Sequence, residues 1–344
     1  MKVFKIKQSI KKAIVCKNVT SNFYRKDNIF THIPKHGDVA IFQIKELGKH
    51  TRMQSEDGYN AFILPGDLIM AAFGNRYASD QFEGYIPAQP MKEYHMLGQG
   101  GAIGVVASMH QRLEPIGPTT LKLIGYVSTE NGEVVNSAVW QDKKTTTMPT
   151  LNGAKVILSL GTSMDSGKTT TAGFLSHGLM NAGKKVAYIK LTGTVYTKDK
   201  RFVKDCGASF VIDFSDFGHP STYLMEEEDL LLLYYALLQK SLEHKPDFIV
   251  VEIADGLFQK ETSMLLKNEE FKKTISAIIF SATDSLNASM GVQHLCINKF
   301  NVIGVSGVLT ISPLQVAETS AHVDVPILLS DDLMNKSIAD RLTL

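Results

Sequence analysis

The sequence predicts an α/β protein in two portions. A β-rich barrel or sandwich spans roughly residues 1–150, and a doubly wound, mostly parallel sheet spans 151–344. Three observations carry this. Val156-Ile-Leu-Ser-Leu160 is an apolar run that breaks into small polar residues and Gly167-Lys168-Thr169, ahead of a helical pattern. After it, apolar runs of strand length alternate with helical stretches. Before it, short strand-like runs are punctuated by Gly, Pro and Asp turns.

Strand, loop and helix in that order are what a phosphate-binding loop requires. Its backbone N–H groups and the positive end of the following helix hold a polyphosphate. In Gly161-Thr-Ser-Met-Asp-Ser-Gly-Lys-Thr-Thr170, Lys168 is placed to reach the terminal phosphates and the Thr169 hydroxyl to bind Mg²⁺. Thr162, Ser163, Ser166, Gly167 and Thr170 complete the expected nucleotide contacts. One departure stands out: the usual pattern begins with Gly four residues before Gly-Lys, where this chain has Thr162, and Gly161 lies one residue earlier.

In the first portion, His36-Gly37-Asp38, Glu56-Asp57-Gly58, Pro65-Gly66-Asp67 and Asn131-Gly132 read as turns. Val39–Ile44, Leu68–Phe73 and Thr120–Val127 read as strands. Gly98–Gly104 is either a tight bend or a phosphate approach. Gly74-Asn-Arg-Tyr-Ala-Ser-Asp-Gln81 is either a solvated loop or a ligand or partner loop. The polar stretch 141–153, with a Thr run, Pro149 and Asn152-Gly153, reads as the linker.

In the second portion, Thr169–Asn181 is the helix after the loop, ended by Gly183. Glu226–Leu242 is a second helix with an acidic first turn. Lys185–Lys190, Phe210–Asp213, Asp247–Glu252, Ile275–Ser281, Val302–Leu309 and Pro326–Leu329 are strands whose near-continuous apolar character fits a sheet covered on both faces. Ligands of such sheets sit at the carboxyl ends of the strands. Glu252 there is a Mg²⁺ ligand opposite Thr169, or a carboxylate at the solvent edge. Asp213 and Asp216 offer metal or substrate contacts, or turn and cap roles. Asp255 is open between metal, substrate and cap. Lys190 either stabilises charge on a transferred group or reaches solvent. His219, before Pro220, is a structural histidine or a proton carrier.

The loop resembles that of the dethiobiotin synthetase and cobyric acid synthase superfamily, with Gly-Thr at its start, five residues between the glycines, then Gly-Lys-Thr. Ser163 and Asp165 are similar to the cobyric acid synthase form. Glu252-Ile-Ala-Asp-Gly-Leu257 resembles the superfamily's Mg²⁺-binding Glu element, and Lys190 with Thr192-Gly193 its stretch after the second strand. The resemblance covers about residues 155–330. It implies ATP and Mg²⁺ as cofactors, and phosphorylation of a carboxylate or similar oxyanion on a small acidic metabolite. Lys168, Lys190 and Asp165 would carry the catalysis, with Thr169, Glu252 and Asp213 at the metal. Departures are Leu191 in place of Pro after the lysine, and Asp255 in place of Gly. The first portion has no counterpart in those enzymes.

Two function classes follow: a small-molecule kinase or ligase, and a nucleotide-driven switch ATPase with the β-rich portion as partner module. Ser163 stands where dimerising partition ATPases carry an extra lysine, which argues against that subtype. A polynucleotide kinase is a third, weaker class. Net charge of +1 disfavours a dedicated nucleic-acid binder. Asn298-Lys299 is followed by Phe300-Asn301, so a guanine-binding Asn-Lys-x-Asp signal is incomplete, and Thr310, Ser312 and Pro313 are candidates for the base pocket. A homodimer is the assembly considered. Three widely spaced cysteines fit a reducing compartment without a disulfide framework. No apolar run has membrane-spanning length and the basic N-terminus lacks the features of a signal peptide, so a cytoplasmic location is the default expectation.

Overall fold

The computed structural model describes residues 3–6, 10–138 and 147–342. The chain divides into two units. The first comprises Met1–Gln141 together with Gly193–Thr197 and Phe214–Tyr223; the second holds Asp142–Thr192, Lys198–Asp213 and Leu224–Leu344. Residues 141–146 of the expected linker lie outside the described residues.

The first unit contains β1 (Val3–Lys5), β2 (Lys11–Lys12), β3 (Phe23–Arg25), β4 (Val39–Glu46), β5 (Arg52–Gln54), β6 (Asn60–Phe62), β7 (Leu68–Phe73), β8 (Phe82–Tyr85), β9 (Glu93–Met96), β10 (Ala102–Met109) and β11 (Thr120–Ser128). Strand β4 pairs with β7 and β11, β7 with β10, and β9 with both β10 and β11. These five strands close a hydrogen-bonded ring, so the β-rich portion is a barrel, closed as barrels are to remove free edges. Alternation along β4 puts Phe42 and Ile44 inside. There Phe42, Phe73, Tyr94 and Tyr126 pack ring against ring at centroid distances of 5.2 to 5.9 Å, within the range that favours edge and offset contacts.

Two expectations for this unit are settled. Gly98–Gly104 is a bend entering β10: Gly101 has φ +99°, and a Cβ on Gly100 would lie 2.0 Å from the Val195 carbonyl oxygen. Residues 74–81 are not a solvated loop. Arg76 is buried, donates to the Leu97 carbonyl and Gln81, and bridges Gly84.

The second unit contains β12 (Lys155–Gly161), α1 (Lys168–Asn181), β13 (Val186–Lys190), α2 (Lys198–Asp205), β14 (Phe210–Asp213), α3 (Glu227–Leu242), β15 (Phe248–Glu252), α4 (Lys260–Lys267), α5 (Glu269–Thr274), β16 (Ile275–Ser281), α6 (Ser285–Ile297), β17 (Val302–Ser306), α7 (Pro313–Ser320), α8 (Ser330–Met334) and α9 (Ile338–Arg341). The sheet order is β14-β13-β15-β12-β16-β17, parallel throughout. Leu175 and Leu179 of α1 are buried over it with Ile157, Tyr188 and Val250, each leucine contributing about 1.5–3 kcal/mol by leaving water. Gly178 lets the chain at α8 approach closely, since a Cβ there would meet the Leu333 carbonyl at 2.1 Å.

The expected strand at 326–329 is not formed. Ile327 makes one parallel bridge to Val305. Pro326 lacks a ladder donor, and Leu329 already caps α8.

Candidate nucleotide site

The loop between β12 and α1 runs from Gly161 to Gly167. Gly161 must be glycine because a Cβ would lie 2.2 Å from the Ser166 Oγ. Gly167, at φ +99°, is the N-cap of α1 and abuts Gly307, itself at φ +99°. Asp165 adopts left-handed backbone at φ 58° and is exposed at the crest of the loop, a conformation that aspartate tolerates better than most residues. Behind the loop, the Ser166 carbonyl accepts from Val308 N at 3.1 Å, and Thr162 N donates to the Ser281 carbonyl at 3.0 Å. The Ser159 hydroxyl donates to the Lys168 carbonyl at 3.0 Å, tying strand to helix. Among the described residues, the backbone N–H groups of residues 163–170 have no backbone acceptor. The cradle therefore offers donors at the positive end of a fourteen-residue helix.

Lys168 is buried and folds back over this cradle, its ammonium donating to the Ser163 carbonyl at 2.5 Å. Burial holds its pKa below the ordinary lysine range, with Glu252 and Asp255 opposing that shift. The Thr162 hydroxyl is buried without a hydrogen-bond partner. Ser163 and Thr170 are exposed.

Glu252 ends β15, next to β12, with Ser159 as its register partner. It is buried, with three neighbours. Thr169 Oγ1 donates to its Oε1 at 2.9 Å, Tyr188 Oη donates to its Oε2 at 2.8 Å, and Lys190 Nζ lies 3.5 Å from Oε1. Tyr188 and Lys190 sit two apart on β13 and so share a face. Burial, then the Glu252 charge, pushes the Tyr188 phenol well above its usual pKa, so it remains a donor. Lys190 also pairs with Asp199 at the start of α2.

These residues divide into two groups. Lys168, Thr169, Glu252 and Lys190 are brought together around the end of β15. Asp213 stands apart from Glu252: it ends β14 as the register partner of Lys190, and Lys200 pairs with it at 3.0 Å. Two strand spacings separate it from Glu252, roughly 10 Å. Asp255 is in left-handed backbone at φ 61°, and its neighbour Gly256 allows the Thr162 carbonyl to approach. Asp216 pairs with Lys17, and His219 Nδ1 lies 3.2 Å from His36 Nε2, all within the first unit. Thr310 bonds the Gly307 carbonyl, and Ser312 caps α7 by accepting from Gln315 N. Asn298 caps the end of α6, and its side chain donates to the His294 carbonyl.

Sequence reading assigned no role to Tyr188, Asp199 or Gly307. Tyr188 was hidden in an apolar strand, though its place two residues before Lys190 is a usable signal. Asp199 and Gly307 act through tertiary approach, which no local pattern reports.

Thr169 and Glu252 suit Mg²⁺, which takes one or two protein oxygens and fills its octahedron with phosphate and water. Among the described residues no group of three or more His, Cys, Asp or Glu is placed to hold a metal ion. No described helix is long and apolar enough to cross a membrane.

No family model and no curated protein matches the chain. Solved structures do. The signal recognition particle receptor FtsY from Elizabethkingia anophelis shares 15% identity over 58% of this chain and 68% of its own, at a TM-score of 0.37. The same receptor in complex with GDP shares 13% over 61% and 74%, at 0.38. Signal Recognition Particle 54 kDa protein from Aeropyrum pernix K1, in complex with GDP, shares 19% over 59% and 49%, at 0.37. The second unit has the strand, cradle, helix and parallel sheet that a phosphate-binding loop requires.

Proposed function

We propose that the chain is a Mg²⁺-dependent nucleoside triphosphatase that works as a nucleotide-driven switch, with the β-rich unit as its partner-binding module. One observation carries the reading. The segments leaving β13 and β14, directly after Lys190 and Asp213, are built into the first unit. Thr194 bridges Ser221, Val195 N donates to the Pro220 carbonyl at 3.0 Å, and Thr197 N donates to Gln54 Oε1 at 3.0 Å. Chain that a metabolite enzyme would devote to substrate is thus committed to the β-rich unit.

In this reading Lys168 leaves the Ser163 carbonyl for the terminal phosphates, and the open N–H groups of the loop hold the rest of the polyphosphate. Thr169 and Glu252 hold Mg²⁺, which neutralises phosphate charge when bound. Tyr188 and Lys190 fix the Glu252 carboxylate. Repositioning of Glu252 and Lys190 passes along β13 into residues 193–197.

The kinase or ligase reading needs Lys190 available to a transferred group, and that ammonium is already held between Asp199 and Glu252. The narrower resemblance to dethiobiotin synthetase rests on the loop, and ATP rests on that resemblance. Calorimetry with ATP and GTP, with and without Mg²⁺, should give heat with one or both. Hydrogen exchange at 193–197 and 214–223 should change between diphosphate and triphosphate analogue. Unchanged exchange, together with a phosphorylated product from a pool of small carboxylates, would return the assignment to the metabolite enzyme.

A further inference from the structure

The first unit has a groove that the nucleotide chemistry does not use. Two cavities, of about 610 and 280 Å³, lie on the outer face of β4 and β11. The larger is lined by Gln43 and Ile124, the smaller by Lys45 and Lys122, the next outward-facing positions on the same two strands. Gln43 and Lys122 are register partners, so the two cavities adjoin there and are read together as a trough.

Its charge is one-sided. Lys5 and Lys26 line the larger part, and Lys45, Lys92 and Lys122 the smaller, against a single carboxylate, Glu93. That is five positive charges and one negative, a net of four. All five lysines are exposed, and among the described residues none has a carboxylate within ion-pair distance. Elsewhere in the same unit Lys11, Lys12, Lys17 and Arg25 each hold a carboxylate. Aromatic rings interleave with these charges. Phe4 and Tyr24 lie 5.6 Å apart with Lys26 over both, and Phe30 is 67% exposed beside the lysines of the smaller part.

We propose that this trough binds single-stranded nucleic acid. Unpaired lysines along a groove track a phosphate backbone, and exposed rings receive unstacked bases. A small anion would need an enclosing pocket that covers most of its surface, whereas neither cavity is enclosed. A duplex keeps its bases stacked inside and leaves Phe30 and Tyr24 without a role. The whole-chain charge of +1 concealed the feature, because its lysines come from five separate segments. The inference is independent of the nucleotide site.

The test is fluorescence anisotropy of the full chain with labelled twelve-nucleotide RNA and DNA single strands, a matched duplex and a polyglutamate peptide, at 50 and 200 mM salt. Single strands should bind, and with about four phosphate contacts the affinity should fall roughly 50-fold between the two salts. Lys45→Ala with Lys122→Ala should weaken binding and lower the salt slope by about 1.4. Phe30→Ala should weaken binding on the order of 10-fold with the slope unchanged. Lys336→Ala, in the second unit, should change nothing. Stronger binding of RNA or of DNA would name the source of the strand. Absence of binding, equal binding to duplex or peptide, or indifference to the Lys45, Lys122 and Phe30 substitutions would each overturn the proposal. These side chains are exposed, so thermal melts should match the parent and exclude misfolding as the cause.

Discussion

Two regions of the molecule treat their charged side chains in opposite ways. At the carboxyl edge of the parallel sheet, Lys190 is held by Asp199 and Glu252, Lys200 by Asp213, and Glu252 by Thr169 and Tyr188. On the outer face of the barrel, five lysines stand without such partners among the described residues. The difference follows from burial. A carboxylate as enclosed as Glu252, at 1% exposure, must be compensated internally, because losing water costs several kcal/mol per ion. An exposed lysine has no such penalty and can wait for an external anion. Internal pairing therefore marks groups held in position for one geometry, and open charge marks a surface that takes its partner from solution.

The sharpest way to break that comparison is Lys168→Ala. It removes the one cation of the cradle that is not held by a carboxylate at hydrogen-bond distance. Triphosphate turnover should fall by on the order of 10²–10³-fold, measured as phosphate release, with nucleotide heat much reduced. Full turnover would mean that the cradle is not the site. Glu252→Gln comes next. The amide keeps the shape; its one oxygen accepts from either Thr169 or Tyr188 and its NH₂ donates to the other hydroxyl, so the fold should survive. Turnover should drop about 10²-fold, and the Mg²⁺ concentration for half-activity should rise, while Mg²⁺-free nucleotide affinity stays near the parent's. An unchanged Mg²⁺ dependence would remove the metal role.

A smaller effect sharpens the internal side of the comparison. If Lys190 positions Glu252, Lys190→Ala should cost roughly 10-fold in turnover with little change in nucleotide affinity. Asp199→Ala should cost less, because it leaves the Lys190 to Glu252 contact in place. Equal and large losses of nucleotide affinity from both would instead make Lys190 a direct phosphate contact.

How much of this was legible in the sequence depends on range. The cradle was legible because its parts are consecutive: an apolar strand, Gly161, Gly167-Lys168-Thr169 and a helix. Glu252 was legible because an apolar run that ends in a carboxylate marks a strand's carboxyl edge. The barrel was legible only as a barrel or sandwich, since closure of the ring by β9 onto β11 joins residues 25 apart or more in sequence. Asp213 read as a metal candidate because strand ends look alike in one dimension, whereas strand order puts it two strands from Glu252. The strand at 326–329 was over-read because apolar residues beside a parallel sheet look the same whether or not Pro326 interrupts the ladder. The trough was invisible because pairing across β4 and β11 assembles it.

The smallest expected effect concerns pH and the segment 214–223. His219 Nδ1 lies 3.2 Å from His36 Nε2 within the first unit. Burial lowers both pKa values, to about 3 for His219, where His36 adds to the shift, and to about 4 for His36, where Asp38 opposes it. Both imidazoles are therefore neutral in the folded chain, while an unfolded chain protonates them below about 6.5. Between those values the unfolded state binds more protons, so stability is full above about 6.5 and declines as pH falls toward 4. Melts at pH 7.5 and 5.0 should show the parent losing some degrees, on the order of 2–4 °C for each kcal/mol. His219→Gln cannot protonate and should lose less over the same interval, whatever its starting stability. If the parent and the variant lost the same number of degrees, the acid sensitivity would belong to other groups, and the histidine pair would not be what makes residues 214–223 pH-dependent.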